Sequence, residues 1–234
     1  MRRIRFACSF WSRGVSVRMA NTPPKSWRAT AMYGTLTQDF ADRASELLAQ
    51  RSRASILYAA LEVRMGVEAR LQSYVQANDE VALSLKKGWE IPKLFKGLEK
   101  TLSNSSQVVE LGVSLGSAPP VLFHFIPVSA RLRSHAARFG GALHVTADSH
   151  GDDRWWVDLE KAVEEALQDL KVCARASLLG VPLLDPRADQ IHTKFEFHRS
   201  DERLELVKGW ASTRGVQHFS VTYISTEDYY ASAR

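Results

Sequence analysis

Cysteine is almost missing from this 234-residue chain, which has only Cys8 and Cys173. Two cysteines cannot build a disulfide framework, and without a Cys-x-x-Cys pair there is no sign of structural zinc or a thioredoxin-like redox site. A reducing compartment, and so a soluble cytoplasmic protein, is expected. Long apolar runs are missing too. The most apolar stretch, Pro119 to Val128, is short and holds His124, whereas a membrane-spanning helix needs roughly 18 such residues; no membrane partner is expected. Nucleotide-binding glycine patterns, a P-loop and a Gly-x-Ser-x-Gly elbow are also absent. These gaps argue against dinucleotide, ATP and serine-hydrolase chemistry, and no cofactor is expected.

Acidic residues are missing from one region in particular. From Met1 to Ala31 the chain carries Arg2, Arg3, Arg5, Arg13, Arg18, Lys25 and Arg28, and the first acid is Asp39. The net charge of +5 therefore sits in this leader, and removing its seven charges leaves a body near −2. An organellar transit peptide, a basic arm for nucleic acid and a start at Met19 or Met32 all fit such a leader. The start-site reading is preferred, because Asn21-Thr22-Pro23-Pro24 suggests no regular structure.

With 45 % apolar residues the body can bury a core. The patterning predicts an α+β fold, mainly α: a long-helix bundle, a mixed middle region and a small C-terminal antiparallel sheet. Residues 1–36 form a tail, 37–178 a helical core domain with a short hairpin, and 188–228 a small β region. From Thr37, a plausible N-cap, to Ala77 no proline interrupts, which predicts one long helix or two separated near Gln50 to Arg53. Its apolar stripe is Leu57, Leu61, Val67, Leu71, Tyr74 and Val75, with Arg64 and Glu68 beside it at pairing distance. Short helices follow at Glu80 to Lys87 and Pro92 to Leu102, then a hairpin of Val108 to Leu115 with Val121 to Val128. A helix from Ser129 should stop at Gly140-Gly141.

The next helix, capped by Asp152 or Asp153, runs to about Ala174 and buries Trp155, Leu159, Val163, Ala166, Leu170 and Cys173, with Trp156 nearer the surface. An exposed Trp156 would be an interface candidate, since tryptophan is enriched among binding anchors. Ile191 to Arg199, Arg203 to Trp210 and Val216 to Ser225 alternate like strands.

Two polar clusters bear on chemistry. Asp148-Ser149-His150-Gly151-Asp152 resembles the first metal motif of calcineurin-like metallophosphoesterases, but the further Gly-Asp, Gly-Asn-His and Gly-His-x-His segments of that family do not follow. A solvated loop leading into a helix cap is the better reading, and no metal site is expected. Arg138 and His144, with five residues between them, resemble the Arg and His signature of HEPN-domain ribonucleases. That resemblance implies metal-independent RNA cleavage, with imidazole moving a proton and guanidinium stabilising charge on phosphate. The resemblance spans seven residues, Gly140-Gly141 falls inside them, and Phe139 stands where the family often has a polar residue. The leading expectation is therefore a non-enzymatic interaction or regulatory module. Its partner would be another protein or a second copy of the chain, engaged through the helices. A HEPN-like ribonuclease using Arg138 and His144, aided by the Arg64 and Glu68 region and with RNA as partner, is the alternative.

Overall fold

The computed structural model describes residues 2–9, 16–18, 34–101, 106–115, 117–143, 152–185, 190–198, 200–210 and 216–233. It is an α+β fold in which helix predominates. Two compact units are interleaved along the chain. One comprises Met1–Met32, Thr101–Pro127 and Ala176–Tyr229, and the other Tyr33–Lys100, Val128–Arg175 and Tyr230–Arg234.

The helical unit is built from α1 (Thr37–Ala49), α2 (Arg53–Ala77), α3 (Leu83–Lys86), α4 (Ile91–Thr101), α5 (Ala130–Ala142) and α6 (Asp153–Ala174). The long periodic segment is thus two helices, parted at residues 50–52, where Arg51 takes a left-handed φ of 52° that a continuous helix cannot accommodate. Thr37 is the first helical residue rather than the cap. The carboxylate of Asp39 accepts the Leu36 N–H at 2.9 Å, satisfying a donor that the helix start leaves open. Ser52 caps α2 through Ser55 N–H at 3.0 Å, Ser129 caps α5 through Leu132 N–H at 3.1 Å, and Asp152 caps α6 through Arg154 N–H at 2.9 Å.

The buried face of α2 is Ile56, Ala59, Ala60, Val63, Gly66, Val67, Leu71, Tyr74 and Val75. Leu57 and Leu61 are only half-buried. Small residues mark the face because they let backbones approach closely: a Cβ on Gly66 would lie 2.8 Å from Leu170 Cδ2 on α6 and 3.1 Å from Phe40 Cβ on α1. Gly140-Gly141 does not end α5, which continues to Ala142. Glycine costs a helix only about 1 kcal/mol, too little to break it alone.

The sheet unit contains β1 (Arg2–Ser9), β2 (Ser16–Arg18), β3 (Gln107–Leu115), β4 (Val121–Phe125), β5 (Leu183–Asp185), β6 (Gln190–His192), β7 (Lys194–Glu196), α7 (Arg203–Trp210) and β8 (Val216–Ser225); α8 (Thr226–Ala233) follows. β1 and β2 fall within the leader, to which the sequence reading assigned no regular structure. The main sheet is antiparallel in the order β1-β8-β3-β4. β8 pairs with the 107–125 hairpin, so the sheet joins segments far apart in the chain. Val109, Leu111, Val113, Phe123, Phe125, Phe219 and Val221 alternate onto one buried face, as a period of two requires. Phe123 anchors it, in edge contact with Phe195, Phe197 and Trp210 at centroid distances of 5.0, 6.1 and 5.7 Å.

Arg203 to Trp210 corrects the strand expected there: it is α7. Asp201 accepts the Arg203 backbone N–H at 3.0 Å and grips its guanidinium with both oxygens at 2.9 and 2.6 Å. What reads as a hairpin turn at Ser200-Asp201-Glu202 is therefore a helix entry.

Candidate functional site

Arg64 and Glu68 meet on α2. One turn apart on α2, they pair at 3.1 Å, each about four-fifths enclosed. Arg64 Nη1 also points at the Ala136 carbonyl of α5, 3.4 Å away, and a Cβ on Gly140 would collide with that nitrogen. Burial raises the Glu68 pKa against the opposing pull of Arg64. The pair is a half-buried tie between α2 and α5, of the kind that fixes how two helices pack.

Arg138 does not join it. Ala136 and Gly140 share the α5 face that Arg64 covers, and Arg138, two residues from each, projects about 200° away. Arg138 is exposed and has no ion-pair partner among the described residues. His144 lies outside the described residues, as do Asp148, Ser149, His150 and Gly151. Among the described residues no three side chains gather as metal ligands, and Asp152 and Asp153 are exposed.

Helix α5 holds three arginines, one histidine and no acid, whereas α6 holds six acids against three bases. Across their contact Arg131 forks onto Asp169 at 2.9 and 2.6 Å, and His135 lies 3.5 Å from Glu165. Asp169 is fully buried while the Arg131 side chain is 41 % exposed. Ser129 Oγ donates to the same carboxylate at 3.3 Å. Burial lowers the His135 pKa although Glu165 opposes it, so the imidazole is neutral at pH 7. Arg131 is thus neutralised from α6, whereas Arg138 has no ion-pair partner among the described residues and Arg133 lies over Phe95 of α4.

Trp156 is the buried member of its pair, reversing the expected placement: it is 9 % exposed while Trp155 is half-buried. The rings meet edge to face at 4.9 Å, and Arg53 lies over Trp156 at 5.4 Å. Trp156 therefore contributes to packing rather than offering an open anchor.

In the sheet unit, register places Glu110 opposite His124 on β4 and Thr222 on β8. His124 Nε2 is 3.2 Å from Glu110 Oε2 and its ring 5.6 Å from that of Tyr229. Burial lowers the His124 pKa, more than Glu110 raises it. A carboxylate can only accept, so Nε2 is the donor in this contact.

The sequence reading missed the Leu83–Lys100 segment. Leu83 and Trp89 are 75 % and 64 % exposed, among the most exposed large apolar side chains described, alongside Val157 at 64 % and Tyr58 at 60 %. Lys86, Lys87, Lys93, Lys96 and Lys100 accompany them against Glu90 and Glu99. The segment is held firmly: Gln72 Nε2 of α2 donates to the Gly88 carbonyl, and Gln76 Nε2 to that of Lys86 at 2.6 Å. On α4, Ile91, Leu94 and Leu98 are buried, and the Arg133 guanidinium of α5 lies 3.2 Å over the Phe95 ring, adding a further cation beside the lysines. Comparison with known proteins found no family model, no curated protein and no solved structure that matches this chain.

Proposed function

We propose that the chain is a non-enzymatic interaction module, with Leu83, Trp89 and the lysines around them as its contact surface. The observation that carries this reading is the exposure of two large apolar side chains on backbone pinned by Gln72 and Gln76. Exposed apolar groups rimmed by charge mark contact sites, and a pre-ordered surface lowers the entropic cost of binding. A cytoplasmic setting belongs to the proposal and agrees with a chain that has only two cysteines. The test compares capture by the full chain with capture by Leu83→Ser/Trp89→Ser of unchanged melting temperature. A ligand held by the first and lost by the second supports the module; equal capture overturns it.

A second reading, the HEPN-like ribonuclease using Arg138 and His144, is favoured by one observation: Arg138 is exposed and has no ion-pair partner among the described residues. RNA cleavage in EDTA that His144→Ala abolishes would support it. Equal cleavage by both proteins, or none, would remove it.

A further inference from the structure

We infer that the Leu83–Lys100 segment docks the protein onto an anionic lipid surface. This inference rests on the reading of that segment as the contact surface and names what it touches. No helix is long and apolar enough to cross a membrane; touching one makes different demands, namely a few side chains that enter the acyl boundary and cations that meet the headgroups.

Both are present. Leu83, at 75 % exposure, is aliphatic and points away from the core; Trp89, at 64 %, is the residue that prefers headgroup depth. Lys86 and Lys87 lie between them in sequence, and Lys93, Lys96 and Lys100 follow on α4. Lys93 is paired with Glu90 at 2.5 Å, so Lys86, Lys87, Lys96 and Lys100 carry most of the uncompensated charge. Ile91, Leu94 and Leu98 of α4 are buried in the helical unit, so insertion rests on the two prongs and binding has to be shallow, reversible and dependent on charge.

Other anionic partners fit less well. Protein interfaces are depleted of lysine at their centres, and here lysine is the commonest residue of the surface. Single-stranded nucleic acid would use Trp89 for stacking and the lysines for phosphate, but gains nothing from Leu83, the more exposed of the two prongs.

The experiment is co-sedimentation of the full chain with vesicles of phosphatidylcholine alone and of phosphatidylcholine containing phosphatidylserine. Binding to the mixed vesicles, little to the neutral ones, and weakening with salt are expected. Lys86→Glu/Lys87→Glu should weaken binding by far more than tenfold, since each lysine lost near such a surface costs about fivefold and each reversal more. Leu83→Ser and Trp89→Ser should each weaken it severalfold at unchanged charge. Lack of vesicle binding overturns the inference. So does vesicle binding indifferent to Leu83 and Trp89, or a stronger, competing association with poly-uridylate. If vesicles fail but Leu83→Ser/Trp89→Ser still loses a captured ligand, the contact surface survives and only its lipid partner falls; if both fail, the module reading falls with it.

Discussion

Replacing Gly66 by alanine tests the contact on which the helical unit depends. On an open helix the change is favourable by about 1 kcal/mol, because glycine loses the most backbone entropy. Here the added methyl would meet Leu170 Cδ2 at 2.8 Å and Phe40 Cβ at 3.1 Å. The leucine methyl can turn aside, but the phenylalanine Cβ is fixed to its backbone, so α1 would have to move. Overpacking of this kind costs typically 1–3 kcal/mol, leaving Gly66→Ala destabilised by about 1 kcal/mol. Gly141 is the internal control: nothing lies within 4 Å of its added Cβ, and alanine there should stabilise by about 0.5 kcal/mol, less than the full propensity because the position is near the helix end. In thermal unfolding followed by far-UV circular dichroism, Gly66→Ala should lower the melting temperature by about 2–4 °C, the usual response to 1 kcal/mol in a chain of this size, and Gly141→Ala should raise it slightly. Equal stabilisation by both would refute the close approach of α1, α2 and α6.

Arg131→Ala should be among the most damaging surface-accessible changes, costing about 3 kcal/mol, because it strands the buried Asp169 carboxylate; Asp169→Asn, which keeps a polar group for Ser129, should cost less in chemical denaturation. The depressed His124 pKa means that the unfolded chain binds the proton more readily. The stability this group contributes is present above its ordinary 6.5 and lost as pH falls through the folded value. His124→Gln should therefore flatten the loss of stability below that pH, and an unchanged profile would count against a buried, neutral imidazole. Gly140→Ala should displace Arg64 from α5, and Arg64→Met in that background should then cost less than in the parent, a coupling that a double-mutant cycle measures.

The helices were largely legible, and their errors share a cause. Leu57 and Leu61 attracted the stripe on α2 because they are large, while Ala59, Ala60 and Gly66, which make the closest contacts, carry little apolar signal. Adjacent tryptophans are ambiguous by one position, enough to turn a helix by 100° and exchange Trp155 for Trp156. In α7 the alternation of Leu204, Glu205 and Leu206 imitates a strand over too few residues to distinguish the two periods. Helix α8 announces itself through Ser225 Oγ, which accepts the Asp228 N–H at 3.3 Å, with Glu227 and Asp228 in the first turn; that start signal stood in the sequence unread. The exposed state of Leu83 and Trp89 was not legible, because burial of a lone apolar residue depends on what the rest of the chain brings over it.

The position of β8 sets an order of events for a chain emerging from a ribosome. Among the strands of its sheet β8 is the last to be made, yet it lies between β1 and β3 and pairs with both. Until residues 216–225 leave the exit tunnel, the 107–125 hairpin has an unsatisfied edge and β1 has no neighbour in that sheet. The helices of Thr37–Ala174 can meanwhile assemble from local contacts. At about 5–20 residues per second, the roughly 90 residues separating the end of β4 from the start of β8 impose a delay of several seconds, during which the open strand invites pairing with another chain.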